Sequence, residues 1–138
     1  MTQTLRGAAC LVALGCLSLP LRADDLRGAD SLLCTSVKVV RCTAAQACEG
    51  GPPWNMDIPQ FVQLDLAAKM LSTTAASAEQ RSTPIQSMMR ENGMIVLQGV
   101  ENARAWSFMI VEETGLLSAA IARDGITVSV FGACTPVG

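Results

Sequence analysis

From residue 81 onward, short apolar runs alternate with turn signals about every ten residues. The pairs Asn92-Gly93 and Asp124-Gly125 are typical of tight two-residue hairpin turns, which favour Asn-Gly and Asp-Gly. This regular alternation of short apolar segments and turns is typical of an antiparallel all-β protein. Five strands are therefore predicted in this half of the chain, at 85–90, 94–100, 105–111, 116–122 and 126–134.

Apolar side chains recur at every second position in two of these strands, which indicates that one face of each strand is buried. An eight-stranded barrel is just wide enough for such bulky side chains to fill it. We therefore expect a packed interior without a lipocalin-like pocket. The residues predicted to point inward are Trp106, Phe108, Ile110, Ile126, Val128 and Val130, with Ile95, Leu97, Leu117 and Ile121 as their neighbours.

The first half of the chain continues the same pattern. Residues 32–42 are rich in β-branched side chains and are predicted to form a strand. Residues 61–66 and 69–73 are predicted to form a hairpin, although an Ala-rich helix over 66–80 is an alternative, since Ala, Leu, Met and Lys favour helices. Gly50-Gly51-Pro52-Pro53 cannot lie in a central strand, so residues 49–59 are predicted to be mostly loop.

The predicted architecture is one all-β domain over residues 24–138. It is an antiparallel up-and-down meander of about eight strands, forming a closed barrel or a flattened sandwich. An even number of strands in a closed meander places the last strand beside the first. The ends of the domain are then brought together by the sheet itself.

The N-terminus has the layout of a secretory signal peptide over residues 1–23. Arg6 provides a basic start, residues 7–19 are apolar, and Ala23 provides a small residue at the predicted cleavage site. Lipid attachment at Cys16 is an alternative. The apolar stretch is shorter than the roughly 20 residues that a membrane span requires, so it is not expected to be an anchor. Cleavage after Ala23 therefore predicts a periplasmic or secreted protein with no membrane span.

Four cysteines remain after the predicted cleavage, and we interpret them as two disulfides. An even number of cysteines in an exported chain favours disulfide bonds. The chain has no histidine and no C-x-x-C pair, which argues against a zinc site and against redox catalysis. The four residues are Cys34, Cys42, Cys48 and Cys134.

The predicted strand over 32–42 selects the pairing. Its length separates Cys34 from Cys42 by about 26 Å, whereas a disulfide requires Cα atoms within about 7 Å. Cys48 lies just beyond the far end of the strand and is equally remote from Cys34. The pairing that fits is Cys42–Cys48 with Cys34–Cys134.

Composition narrows the range of functions. Once Arg6 and Arg22 leave with the signal, eight of the ten basic residues face twelve acidic ones, a net charge of −4. No basic block remains, which argues against binding to nucleic acid. The absence of histidine removes the usual proton shuttle near neutral pH, and the adjacent carboxylates of Glu112 and Glu113 would point to opposite faces of a strand. We therefore expect no catalytic residues, no metal and no cofactor.

The Pro-stiffened loop around Trp54 is the predicted contact site. Pro53, Trp54 and Asn55 form this hypothetical binding segment, because tryptophan is enriched at interface hot spots and a stiff loop loses little entropy on binding. The alternative is that Trp54 folds down and plugs one end of the barrel. The partner would be an unknown protein or a small ligand at the loop rim.

The chain contains early paired cysteines, Leu-Gln-Gly and Ala-Trp-Ser within residues 95–110, and a closing Gly-Ala-Cys at 132–134. In these motifs it resembles a group of short, uncharacterised secreted proteins of Gram-negative proteobacteria. The resemblance implies a periplasmic or secreted location and no particular activity. Our first functional hypothesis is an exported, non-catalytic binding or interaction module. The alternatives are an inhibitor of a secreted hydrolase such as lysozyme and, third, a small enzyme.

Overall fold

The computed structural model describes residues 24–138, and their regular structure is almost entirely β-sheet. The predicted signal peptide and Cys16 lie outside the described residues. The all-β prediction is confirmed: one turn of 3₁₀ helix, Pro53–Met56, accompanies ten strands. These are β1 (Ser31–Thr43), β2 (Glu49–Gly51), β3 (Phe61–Asp65), β4 (Met70–Thr73), β5 (Ser82–Pro84), β6 (Ser87–Glu91), β7 (Met94–Glu101), β8 (Arg104–Val111), β9 (Leu116–Arg123) and β10 (Ile126–Pro136).

All the strand pairings are antiparallel, and the order across the sheet is β5-β4-β3-β1-β10-β9-β8-β7-β6, with β2 paired to β1 alone. The last strand therefore lies beside the first, as the meander predicts. The edge strands β5 and β6 are separated along the chain by Ile85 and Gln86 only. Three peptide units span at most about 11 Å, so the sheet must curl until its two edges are close. The result is a curled half-barrel.

The number of strands exceeds the predicted eight because of two three-residue strands, β2 and β5. The chain changes partners after Pro84, whose ring nitrogen cannot donate to a ladder. Ile85 N donates to Lys69 O on the β4 side (2.8 Å), whereas Gln86 N donates to Gln98 O of β7 (2.9 Å). β5 and β6 are therefore two segments of one bent run that join opposite edges of the sheet.

The hairpin over β3 and β4 is present, and the alternative helix over residues 66–80 is not. Lys69 adopts a positive φ of 55° in the turn, and Asp65 Oδ1 accepts a hydrogen bond from Ala68 N at 2.7 Å. Residues beyond β4 form a loop, which the Gln80 amide ties by donating to Ser77 O at 2.9 Å. Local hydrogen bonds of Asp and Gln side chains thus replace the helical ladder that the Ala-rich composition would favour.

Both predicted disulfides are present. Cys34–Cys134 joins facing residues of β1 and β10, with Cα atoms 4.0 Å apart and both side chains buried. Cys42–Cys48 closes the loop between β1 and β2, with Cα atoms 4.2 Å apart. The two bonds are consistent with an oxidising, extracellular compartment.

The core lies on the inner face of the curled sheet, where the predicted alternation holds. Of the ten residues expected to point inward, only Ile121 and Ile126 are half-buried, and the others are buried. Leu26 and Leu32, near the start of the domain, and Leu64 of β3 also belong to this core, at 0% to 1% exposure. Buried and exposed side chains alternate along these strands because only one face of the antiparallel sheet is buried.

Alternating strand directions place the connections at two ends of the half-barrel. The connections at 66–69, 92–93 and 112–115 lie at one end, together with the segment 24–30, and we call it the closed end. The connections at 44–60, 74–81, 102–103 and 124–125 lie at the other, which we call the open end. In the part of the chain that the structure describes, no helix is both long and apolar enough to cross a membrane.

Candidate functional site

A cavity of about 110 Å³ lies inside the half-barrel toward the open end. Most of its wall is apolar and comes from the inner faces of several strands. Asp57, Ile58 and Pro59 of the long connection also contribute to it. Four charged residues belong to the lining: Asp57, Arg81, Glu101 and Arg104. The apolar wall consists of Val62, Leu71, Trp106, Phe108, Leu117, Ala119, Ile121 and Val130.

The interior is therefore not filled throughout, in contrast to the expected packed core. The bulky residues of β8 and β10 do point inward, but small ones face them from other strands. Ser36 of β1, Thr83 of β5 and Ala119 of β9 are all buried and all line the cavity. The volume is below the roughly 300–1,000 Å³ of typical ligand pockets, so the space suits only a small molecule.

Trp106 is held in the cavity wall by the glycine opposite it. Gly99 of β7 faces Trp106 of β8 in the ladder, and a Cβ at residue 99 would overlap the indole ring. The indole also packs edge-to-face on Phe108, with ring centroids 5.5 Å apart. Trp106 is only 7% exposed as a result. The close approach of backbone and ring explains why a glycine occupies this strand position.

Two buried N–H donors in the cavity-lining residues have no acceptor among the described residues. They are Nε1 of Trp106 and Nε of Arg104. Arg104 and Trp106 are two positions apart on β8, so their side chains leave the strand on the same, inner face. Leaving a buried donor unpaired costs about 1–3 kcal/mol. Both atoms are enclosed by protein atoms, so this end of the half-barrel carries an uncompensated polar cost.

The charge of Arg104 is also unpaired within the described residues, where no carboxylate oxygen lies within 4.0 Å of its guanidinium. Glu101 is its ladder partner across the β7–β8 hairpin, yet the two form no ion pair. Arg81 differs, because its Nε lies 3.4 Å from Glu79 Oε2 and its backbone N donates to Thr73 Oγ1 at 2.9 Å. Arg104 is thus the cation in the lining with spare capacity.

The predicted contact segment lies beside the cavity, not in its wall. Trp54 is 65% exposed, so it does not plug the barrel, and Asn55 is exposed as well. Pro53 is fully buried and anchors the 3₁₀ helix instead of presenting a surface. Arg41 Nη2 donates to Met56 O at 3.0 Å and fixes the other end of this turn to β1. The lining begins at the next residue, Asp57.

Sequence reasoning missed Arg104, Ser36 and Thr83 as site residues. One signal was available, because the alternation along β9 places the small Ala119 between two bulky inward positions. The contributions of Ser36 and Thr83 carry no such signal, since hydroxyl residues are common in strands on either face. Their meeting in one cavity depends on the curl of the sheet.

Comparison with family models, with curated proteins and with solved structures finds no match to this chain. Among residues 24–138, no group of three or more cysteine, aspartate, glutamate or histidine side chains is arranged to hold a metal ion.

Proposed function

We propose that this protein is an exported, non-catalytic binding module that takes a small ligand into the cavity at its open end. One observation carries the proposal: an apolar cavity inside the half-barrel, whose lining includes Arg104, a cation with no ion pair among the described residues. Cavities with an apolar wall and a few polar groups are the usual form of small-molecule sites. The binding role then belongs to the interior, and Trp54 lies outside the cavity wall, three residues before Asp57.

The size of the cavity limits the ligand. An engineered apolar cavity of about 150 Å³ accommodates benzene, so about 110 Å³ suits a molecule of that size or somewhat smaller. A molecule with few atoms gains limited binding energy, and we expect dissociation constants of about millimolar or somewhat tighter. Such affinities suit a ligand that is abundant outside the cell.

Export to the periplasm or beyond is part of this proposal. The two disulfides, the predicted signal peptide over residues 1–23 and the resemblance to secreted proteobacterial proteins all support it. An outer location also suits a binding module, because disulfides preserve the cavity without help from a large core.

Fluorescence of Trp106 provides the test. The chain has two tryptophans, so a Trp54→Phe variant leaves Trp106 as its sole indole reporter. We expect titration with a small probe such as 1-butanol to change the emission of Trp106 and to raise the melting temperature.

Two neighbouring alanines supply the matched control. Ala119 lines the cavity, whereas Ala120 is exposed on the outer face of the same strand. Ala119→Leu fills the cavity and should abolish the response to 1-butanol, while Ala120→Leu should leave it intact. If Ala119→Leu binds 1-butanol as the parent does, or if no small probe alters Trp106, the proposal is wrong.

A further inference from the structure

We infer that two copies of this chain associate through the outer face of β6 to β10, the side of these five strands that points away from the core. A ligand in the cavity and a second copy on the outer face use opposite sides of the same strands. Association is therefore independent of the proposed function, and each can fail without the other.

The outer face lacks charge over four of its five strands. β7 to β10 lie entirely within the described part of the chain, and none of their outward positions carries a charged side chain. Their charged residues, Glu101, Arg104 and Arg123, occupy inward positions at strand ends. A soluble surface typically has about 25–35% charged residues, whereas the core of a protein interface is depleted of them. The outer face therefore has the composition of an interface.

A row of bulky apolar side chains crosses the outer face, and we call it the ridge. In the register of the sheet, Val96 lies between Met89 and Met109. Ser118 lies between Met109 and Phe131. Met89, Met109 and Phe131 are each 43% to 47% exposed. Removing this apolar surface from water would favour association, and exposed apolar patches of this kind mark interaction sites.

A groove of about 450 Å³ runs beside the ridge, on the side of the open end. On each strand, the residue in the floor of the groove lies two positions from the residue in the ridge row, so the two side chains leave the same face. Most of the floor side chains are small, which leaves the space open. They are Ser87, Gln98, Ser107, Ala120 and Ser129.

The ridge and the groove are complementary to each other, so the outer face fits a second copy of itself. A two-fold axis that runs across the strands, between the two rows, turns the ridge of one copy onto the groove of the other. Met109 then faces Ser107 of the second copy, and Phe131 faces Ser129 of the second copy. The strand spacing is the same in both copies, so these positions coincide along the whole row. A two-fold dimer requires such a self-complementary patch.

The next row on either side repeats this combination of bulky and small residues. Val111 and Leu116 follow the ridge toward the closed end, and Ala105 and Ala122 follow the groove toward the open end. The same axis places Val111 over Ala105 and Leu116 over Ala122 of the second copy. Bulky side chains thus face small ones over four rows of the interface.

The outer face is large enough for a dimer of modest affinity. Five strands about 4.8 Å apart and about 27 Å long present roughly 600 Å². Two copies would bury about 1,200 Å² in total, which is the lower end of the range for stable interfaces. Entry of the ridge into the groove extends the contact beyond the narrow line along which two smooth convex faces would touch. We expect a dissociation constant of about micromolar.

A membrane surface suits the outer face less well than a second copy does. Segments that lie on membranes usually combine apolar residues with Lys, Arg and Trp, and none of these three occurs at the outward positions described for β6 to β10. The net charge of −4 over residues 24–138 also opposes binding to anionic lipids. Between two acidic copies, an uncharged face keeps like charges out of the contact.

Sedimentation equilibrium of the exported chain, residues 24–138, provides the test. We expect a dimer at about 100 µM, roughly a hundred times the expected dissociation constant. Met109→Lys places an unpaired charge in each half of the interface and should weaken association about 100-fold or more. Trp54→Lys is the matched control, because it adds the same charge at an exposed residue outside β6 to β10. Its dissociation constant should stay within about twofold of that of the parent.

A second variant tests the register and shows that the variants fold. Ser107→Glu alone should weaken association as Met109→Lys does. In the proposed dimer, residue 109 of one copy faces residue 107 of the other, so an equimolar mixture of the two variants should restore the dimer through one lysine–glutamate pair. A parent that is monomeric at about 100 µM, a Met109→Lys variant that dimerises as the parent does, or a mixture that forms no dimer would each overturn the inference. Cosedimentation of a monomeric parent with anionic phospholipid vesicles would assign the outer face to a membrane instead.

Discussion

The two ends of the half-barrel each contain an inward-facing arginine, and the two arginines are satisfied very differently. At the closed end, Arg90 donates to Glu112 Oε1 at 2.6 Å and to the carbonyl oxygens of Ala29 and Leu26, both at 2.9 Å. At the open end, Nε of Arg104 has no acceptor among the described residues. The same type of side chain is thus fully bonded in one place and incompletely bonded in the other.

This difference shows that one small sheet can combine an end with paired polar groups and an end with an unpaired cation beside a cavity. The segment 24–30 brings two carbonyl acceptors and the fully buried Leu26 to the closed end, so polar and apolar groups are both satisfied there. At the open end, the segment 57–59 contributes to the cavity lining but supplies no acceptor to Arg104 or Trp106. Polar groups are therefore paired at the closed end, whereas the open end keeps an unpaired cation in the cavity lining.

The largest effect should come from the disulfide nearer the closed end. The Cys34–Cys134 disulfide joins two residues that are 100 positions apart in the chain. Replacing both cysteines with alanine opens this loop, and we expect the free energy of unfolding to fall by about 4–5 kcal/mol. The corresponding Cys42 and Cys48 variant spans a separation of only 6 residues and should lose about 2 kcal/mol. Urea denaturation of both double variants measures the difference. Equal losses would contradict the dependence of the stabilisation on the length of the closed loop.

Exchange of the two arginines for methionine should give the next largest contrast. Arg90→Met removes three hydrogen bonds and leaves the buried Glu112 carboxylate unpaired, at an expected cost of about 2–4 kcal/mol. Arg104→Met removes a donor that is already unpaired, so the unfolding free energy should stay the same or rise slightly. A large loss in Arg104→Met would show that Arg104 stabilises the fold and has no spare binding capacity.

A smaller effect is expected from Gly99→Ala at the open end. The new methyl group overlaps the indole of Trp106, and the resulting shift should cost about 1–3 kcal/mol and alter Trp106 emission. Gly50→Ala is the control, because a Cβ at that position meets only ordinary contacts, the nearest at 3.8 Å. Thermal denaturation with fluorescence detection measures both variants. Matching profiles for the two would argue that the indole does not depend on Gly99.

The smallest effect should be that of Trp54→Ala. Trp54 is 65% exposed, and substitutions of exposed side chains usually change stability by less than about 0.5 kcal/mol. Phe108→Ala, by comparison, should cost about 3–5 kcal/mol because the phenyl ring is buried. Equal shifts in melting temperature for the two variants would mean that Trp54 belongs to the core.

Much of the fold could be predicted from local features of the chain. The hairpin turn at Asn92-Gly93 is an example, since both residues adopt positive φ values of 53° and 74° as a type I′ turn requires. The candidate site was less predictable. The residue type of Trp54 and its Pro-rich loop indicated a contact site, whereas the sequence around Arg104 gives no local sign of an unpaired donor.

The sequence by itself determined the strand alternation, the turns and the disulfide pairing, because these depend on residue spacing along one strand or on the reach of the chain. Only the tertiary structure decided that Ser36, Thr83 and Ala119 meet within one cavity, and that Arg90 finds acceptors where Arg104 does not. The physical reason is that the inward face of a strand follows from a period of two residues. The space left inside depends instead on the summed volumes of side chains from separate strands, and therefore on how far the sheet curls and how its strands are staggered.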